Sequence, residues 1–434
     1  MPFPPVNVSP SLPADQHGRT GVDRARRRLL LGAPALVGAL ASPVATAAPG
    51  ASRWSAAWGC APAGPPPAAQ LQTFSNQTLR LIVHTSLGGS RVRVRLSNEM
   101  GSSDLVIGSA SIAVRRSGAL IVPGSSRQLR FGGRPGITIP AGAPAVSDPV
   151  ALTVAQFADL AVSLYLPGQA AAGTIHNAAY QANYVSTAGD HTASSTLPVT
   201  RTLSSWPFLT ELDIEAGVPV LVVAGDSLTD GAGSTSNTNR RWPDWLALRL
   251  AAALGPSRAS VINRGISANR LLADTGTALI AGRDLLERFD RDVLATPNVS
   301  TLAVLIGIND IAYSPSSAPI RPDLLTAGYQ QLIERAHLHG IAVMGATLPP
   351  FGGFVYSSTA REAVRQAVNA WMRSSVSFDL LADIDLALRD PAAPQRLRAQ
   401  YDSGDHLHPN DAGYQAMAAA VPLNALSALL RGYV

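Results

Sequence analysis

The 434-residue sequence predicts two folded parts, an all-β sandwich followed by an α/β domain built on a parallel sheet. Three observations carry this reading. From Ser52 to about Ala216, short apolar runs lie at close spacing between Gly, Pro, Ser and Asn, the pattern of many short strands separated by turns. From about residue 217, strand-like and helix-like runs alternate, as in a sheet covered by helices on both faces. The composition, 46% hydrophobic and 15% charged, supplies ample core for a globular protein, and the length allows two or three domains.

Residues 1–48 precede both parts and read as an export signal. Arg24-Ala25-Arg26-Arg27-Arg28 is followed by the apolar run Leu29 to Ala41 and by the small residues Ala45-Thr46-Ala47-Ala48. The apolar run is too short for a membrane span, which needs about 20 residues. Arg26-Arg27 before Arg28-Leu29-Leu30 resembles a twin-arginine signal, with Ala25 in place of the usual Ser or Thr. The expected location is therefore secreted or extracytoplasmic. The chain contains no lysine, and beyond residue 48 it keeps 29 arginines against 27 acidic residues, a net charge near +2. No arginine run there provides the clustered basic face that nucleic-acid binding needs. Arg91-Val92-Arg93-Val94-Arg95-Leu96 reads as one strand with its arginines on a solvated face. Cys60 is the only cysteine, so an internal disulfide is impossible.

In the first part, assigned to residues 52–216, strands are expected at Thr78 to His84, Arg91 to Leu96, Leu105 to Val114, Ile137 to Ile139, Val150 to Val154, Leu160 to Leu166 and Ala182 to Val185. A jelly roll is the expected arrangement. The polar clusters His84 to Gly89 and Ser97-Asn98-Glu99 are compatible with a sugar site, but strand-end turn chemistry accounts for them equally.

In the second part, residues 217–434, strands are expected at Val218 to Ala224, Ser260 to Asn263, Thr301 to Gly307, Ile341 to Thr347 and Phe378 to Leu381. Helices are expected over Trp242 to Leu254, Asp284 to Leu294, Asp323 to Leu338, Arg361 to Ser374 and Ala412 to Val421, with Pro243 near a helix start and Gly255 and Gly340 beyond helix ends. Right-handed crossovers make a flavodoxin-like parallel sheet the natural topology.

The chemistry is carried by four short blocks in this second part. Gly225-Asp226-Ser227-Leu228 follows the first apolar strand, at the carboxyl edge where such sheets bind ligands. Asn263-Arg264-Gly265 and Gly307-Ile308-Asn309-Asp310 follow the second and third strands, and Asp405-His406-Leu407-His408-Pro409 lies near the end of the chain. Together these blocks resemble the SGNH (GDSL-type) hydrolases, and the resemblance covers residues 215 to 434. It implies a serine esterase of flavodoxin-like fold acting through an acyl-enzyme without metal or cofactor. Ser227 would be the nucleophile, His408 the general base and Asp405 its orienting acid. The oxyanion donors would be the backbone amides of Ser227 and Gly265 and the side chain of Asn309.

Competing readings of single residues are weaker. His406 shares the loop with His408, but Pro409 after His408 matches the family block. His-Leu-His has no accompanying metal-ligand cluster. Asp226, Asp230 and Ser234 read as turn or loop residues, Asn263 and Asn269 as braces of the second loop, and Asn309 taken alone as a turn former. Arg241 and Trp242 border the nucleophile loop, with Trp242 better placed in the core. Gly231-Ala232-Gly233-Ser234-Thr235 lacks the lysine and spacing of a phosphate-binding loop. The subgroup with an added β-sandwich implies short acyl esters, acetyl or aryl, carried on a small molecule or a glycan. The rival readings are a lipase acting on longer acyl chains and a non-catalytic carbohydrate-binding envelope protein.

Overall fold

The computed structural model describes residues 53–432, apart from 277, 278 and 316. The expected export signal at 1–48 lies outside the described residues. From residue 53 onward the described residues form one compact unit with two large hydrophobic cores.

The first core lies between two antiparallel sheets. One runs in the order Trp54–Gly59, Leu209–Glu215, Gly89–Ser97, Val150–Val154. The other runs Val199–Leu203, Asn183–Ala188, Thr73–His84, Asp159–Ala171, Ser109–Ser117, Leu120–Ile121. Alternate residues point inward, as a half-buried strand requires: Leu79, Leu81 and Val83 from one sheet meet Val92, Val94 and Leu96 from the other. Ile137–Ile139 and Val150–Val154 are strands with the expected ends. The expected strand at Leu105 to Val114 is broken at Gly108, where a Cβ would press on the Tyr165 ring at 3.0 Å. Trp54–Gly59 and Leu209–Glu215 are strands that periodicity did not reveal.

The arginine-rich strand corrects one expectation. Val92, Val94 and Leu96 do turn inward and Arg91 is exposed, but Arg93 and Arg95 are only half-exposed. They pair across to Leu209–Glu215, Arg93 Nε lying 2.7 Å from Asp213 and Arg95 4.0 Å from Glu211, both acids being buried.

The second core surrounds a parallel sheet of strands β1 (Val220–Gly225), β2 (Ser260–Gly265), β3 (Val299–Leu305), β4 (Ala342–Ala346) and β5 (Leu380–Ala382), in the order β2-β1-β3-β4-β5. This is the doubly wound order in which the chain reverses direction beside β1. Between and after the strands run helices α1 (Ser227–Asp230), α2 (Trp242–Leu254), α3 (Leu285–Phe289), α4 (Ile308–Ala312), α5 (Pro322–Leu338), α6 (Thr359–Ser374), α7 (Ile384–Leu388), α8 (Asp411–Ala420) and α9 (Leu423–Gly432). The helix expected at Asp284 to Leu294 is α3 followed by one wider turn over Asp290–Leu294. Strand β1 is buried at every position, which explains its unbroken apolar run.

Strand β2 ends the sheet, and an uncovered edge invites misassociation. The β-rich part covers it. Val261 N donates to Ser86 Oγ at 3.0 Å, Ser260 Oγ to Ala56 O at 2.5 Å, and the Arg264 side chain to the Cys60 and Thr210 carbonyls and to Glu211. Among the described residues, no helix is long and apolar enough to cross a membrane.

Candidate active site

Ser227 begins the one-turn helix α1 directly after β1, at the carboxyl edge of the sheet. Asp226 caps that turn, its Oδ1 accepting from Leu228 N at 3.0 Å. Its other oxygen is buried without a partner among the described residues, and burial pushes the carboxyl up to about 8. Asp226 is thus a protonated capping residue with no charge to contribute at neutral pH.

The loop after β5 and α7 brings the histidine to the serine. His408 Nε2 lies 2.8 Å from Ser227 Oγ, and His408 Nδ1 lies 2.5 Å from Asp405 Oδ2. The remaining oxygen of Asp405 accepts from the amides of His408 at 2.8 Å and Leu407 at 3.0 Å. Burial alone would raise the Asp405 pKa, but the His408 amide, the His408 ring and the Leu407 amide outweigh it and hold the acid below the usual carboxylate range. His406 turns the other way. Its φ is +66°, its Nδ1 is bound to Asp402 at 2.6 Å, and its ring rests against Gly353.

The residues expected to stabilise an oxyanion divide. Ser227 N has no acceptor among the described residues, as befits the first amide of a helix. Asn309 is the second residue of α4, with Nδ2 donating to Asn269 O at 2.9 Å and its second proton unassigned. The Gly265 amide does not fit its expected role, because it already donates to Asn263 Oδ1 at 2.8 Å. Glycine is required there for close packing: a Cβ would stand 2.3 Å from Asp230 N. The sequence reading missed Ala268, three residues further on. Its amide has no acceptor among the described residues, and its φ of +63° is a left-handed conformation uncommon for alanine. No local residue pattern marks this position, since glycine or asparagine is the usual sign of such a turn.

The loop bearing Ala268 is gripped from four directions. Asp230 Oδ2 accepts from Ser267 N at 2.8 Å and Ser267 Oγ at 2.7 Å. Asn269 donates through Nδ2 to Ala281 O and Arg283 O, and accepts from Arg288 Nε at 3.1 Å. Asp310 takes the amides of Leu271 and Leu272, although burial pushes its carboxyl up to about 6. Arg288, fully buried beside Asp292, also donates to Gly225 O at 3.0 Å and Arg264 O at 2.9 Å, tying the ends of β1 and β2. Asn263 and Asn269 brace the loop as expected. Asp230, expected to be a loop residue, is one of its principal anchors.

Arg241 is bound through its own amide, Nε and Nη2 to Asp244, caps α2 and lines a small cavity with Trp58, His84 and Asn239. Trp242 is core, its Nε1 reaching Thr229 Oγ1 at 3.4 Å. Gly231 to Thr235 forms a loop held by Tyr414 Oη on Ala232 O at 2.6 Å and by Asp411 on Thr235 N at 2.8 Å. Among the described residues, one acidic cluster, Asp274, Asp284 and Glu287, has its carboxylates within 4.8 Å of one another, and Arg283 is paired to Asp274.

Residues 223–416 match the model of the GDSL-like Lipase/Acylhydrolase family. No curated protein matches the chain. Solved structures with similarity include a lipolytic protein of the G-D-S-L family from Desulfitobacterium hafniense, 21% identical, TM-score 0.35, covering 48% of this chain and 98% of that one. An acetyl xylan esterase from Geobacillus stearothermophilus is 22% identical, TM-score 0.36, over 47% of this chain and 93% of the other. A carbohydrate acetylesterase from Sinorhizobium meliloti is 16% identical, TM-score 0.38, over 49% and 99%. The family match spans the parallel sheet and the four sequence blocks, so the protein carries a GDSL-type ester-hydrolase domain preceded by an N-terminal β-rich domain.

Proposed function

We propose that the protein hydrolyses short-chain carboxylic esters through an acyl-enzyme on Ser227. The observation carrying this reading is the continuous hydrogen-bonded chain from Asp405 through His408 to Ser227 Oγ. His408 takes the serine proton as Oγ attacks the ester carbonyl, and returns it to the departing alcohol; Asp405 holds the ring so that Nε2 faces the serine and stabilises the imidazolium. Water then attacks the acyl group with His408 again as base. The negative oxygen formed in each half-reaction is received by Ser227 N, Asn309 Nδ2 and, in place of Gly265, the Ala268 amide.

Short acyl groups are our reading because the loop that carries Ala268 is polar and internally bonded, through Asp230, Ser267, Asn269, Asn309 and Asp310. A long alkyl chain needs an apolar wall. An acetyl ester on a glycan is the substrate class of choice. Residues 52–216 are assigned to the β-rich domain, with a jelly roll as our reading of its two facing sheets, and 217–434 to the hydrolase domain. Residues 1–48 are the export signal, which would place the enzyme outside the cytoplasm.

The test is labelling of the purified protein with a fluorophosphonate, with the adduct located by mass spectrometry, followed by an ester series from acetate to palmitate and acetylated xylan. The adduct is expected on Ser227 and the highest turnover on acetate. A folded protein that takes no label on Ser227 would overturn the enzymatic reading in favour of a carbohydrate-binding role. Preference for palmitate would make it a lipase.

A further inference from the structure

His176 takes no part in the steps above, yet both its ring nitrogens face acceptors. The residue comes from the β-rich domain and is buried. Nδ1 lies 2.9 Å from Ala61 O, while Nε2 lies 3.0 Å from Asp230 Oδ1 and 3.3 Å from Ala178 O. A neutral imidazole carries one N–H and would turn a lone pair toward one of these oxygens; only the imidazolium donates to both sides. Burial opposes that charge, but the Asp230 carboxylate and the two carbonyls outweigh it and hold the His176 pKa above its ordinary value.

Asp230 is the last residue of α1, three positions beyond the nucleophile. Its second oxygen holds the amide and hydroxyl of Ser267. The next residue, Ala268, carries the free amide, and Asn269 O receives the Asn309 side chain. A single chain of contacts therefore runs from Ala61 through His176, Asp230 and Ser267 to the oxyanion donors. We propose that His176 is a positioning residue for ester hydrolysis: supplied by the β-rich domain, it fixes Asp230 and, through Ser267, the loop that presents the Ala268 amide and anchors Asn309. The β-rich domain would then complete the active site rather than merely precede it. The proposal rests on the esterase reading of Ser227.

The groups around the pair leave His176 without a substitute. The Asp230 charge acts on Asp226, Tyr180, Tyr414, Cys60 and Arg241. The Trp206 ring stands 5.5 Å from the imidazole and brings no charge. Arg241 is the one cation among these neighbours, and its guanidinium is engaged by Asp244. Deprotonation of His176 at alkaline pH would set a lone pair against an oxygen and slacken the chain.

The experiment compares full-length wild type, His176→Gln, Ser267→Ala and the double variant, measuring kcat and KM for phenyl acetate from pH 5 to 10, with Tm on the same samples. His176→Gln is expected to lower kcat by about 10- to 100-fold, the scale of a small misplacement of catalytic groups, with KM within about twofold. Measured in an Asp226→Asn background, which removes the carboxyl pushed up to about 8 beside Ser227, kcat should fall on the alkaline side of the ordinary histidine range, a limb absent once His176→Gln is added. Ser267→Ala should cost less in the His176→Gln background than in wild type, because the two act through one chain. A folded His176→Gln with undiminished kcat, the same alkaline limb in both Asp226→Asn proteins, or additive losses would overturn the proposal. Should His176→Gln not fold, Ser267→Ala and the Asp226→Asn profile decide: an unchanged kcat in the first or a flat profile to pH 10 in the second is equally fatal. A wild type that labels on Ser227 and turns over ester while His176→Gln equals it removes the positioning role alone. A wild type that does neither removes the esterase reading, and this proposal with it.

Discussion

At the scale of single residues, the Ser227–His408 pair has the separation that proton transfer needs, 2.8 Å, and His408 has its second nitrogen held at 2.5 Å by Asp405. Ser227→Ala or His408→Ala should each lower kcat for a short p-nitrophenyl ester by about 10³-fold or more, because nucleophile and base act as a unit. Thermal melting should stay near wild type. His406→Ala should retain activity, since that ring is committed to Asp402 and faces Gly353. Asn309→Ala should lower kcat by about 10²- to 10³-fold with little change in KM, if its amide meets charge only in the transition state. Its bond to Asn269 makes some loss of Tm expected as well, so kcat must be taken per folded molecule. The roles proposed for Ser227, Asp405, His408 and Asn309 come from chain order and from flanking Gly, Asp and Pro, and the hydrogen bonds among the first three agree with them. Gly265 was misread because its glycine serves packing against Asp230, a contact between segments 35 residues apart that no local pattern records.

At the scale of elements, the turn after β1 and the loop after β2 set the site, and each stores a testable cost. The Asp226 carboxyl is pushed up to about 8 by burial. Its unfolded value is about 4, so the unfolded chain releases the proton first. The contribution to stability is complete below that value and drains away as pH rises toward 8. Asp226→Asn keeps the oxygen that caps Leu228 and cannot ionise, so its Tm should exceed wild type at pH 8 to 9 and the gap should close toward pH 4. Ala268 holds φ at +63°, which costs a non-glycine residue about 1–2 kcal/mol. Ala268→Gly should therefore raise stability by about 0.5–1 kcal/mol after the added freedom of the unfolded chain is subtracted. Activity should be retained, since the amide is unchanged. A lower Tm would show that the turn is held by contacts of the alanine methyl instead.

At the scale of the whole molecule, the β-rich domain is joined to the hydrolase domain by buried polar groups rather than by a linker. Arg264 leaves β2 and reaches the Cys60 and Thr210 carbonyls and the Glu211 carboxylate, all in the β-rich domain. Burial pushes Glu211 up to about 7 against the pull of Arg264, with Asp213 adding to the rise. Removing one partner of such a pair strands the other, at a cost of about 3–5 kcal/mol. Arg264→Ala should thus melt well below wild type, and Arg264→Ala with Glu211→Gln should recover part of the loss. A fragment of residues 217–434 alone would expose the edge of β2 and leave Arg264 without its acceptors. It should elute as aggregates in size-exclusion chromatography; a monomeric, active fragment would show that the hydrolase domain needs no cover.

The sequence by itself determined the alternation of β-rich and α/β parts, the strands of the parallel sheet, and the residues of the Asp405–His408–Ser227 chain. These depend on periodicity, on turn chemistry and on the order of short blocks, all local properties. Tertiary structure alone decided which amides remain free around Ser227, that Arg93 of the Gly89–Ser97 strand meets the buried Asp213, and that His176 meets Asp230 across 54 residues of chain. The physical reason is that a buried donor, acceptor or charge is defined by the partner that satisfies it. Such partners come from whichever segment the fold brings within hydrogen-bond distance.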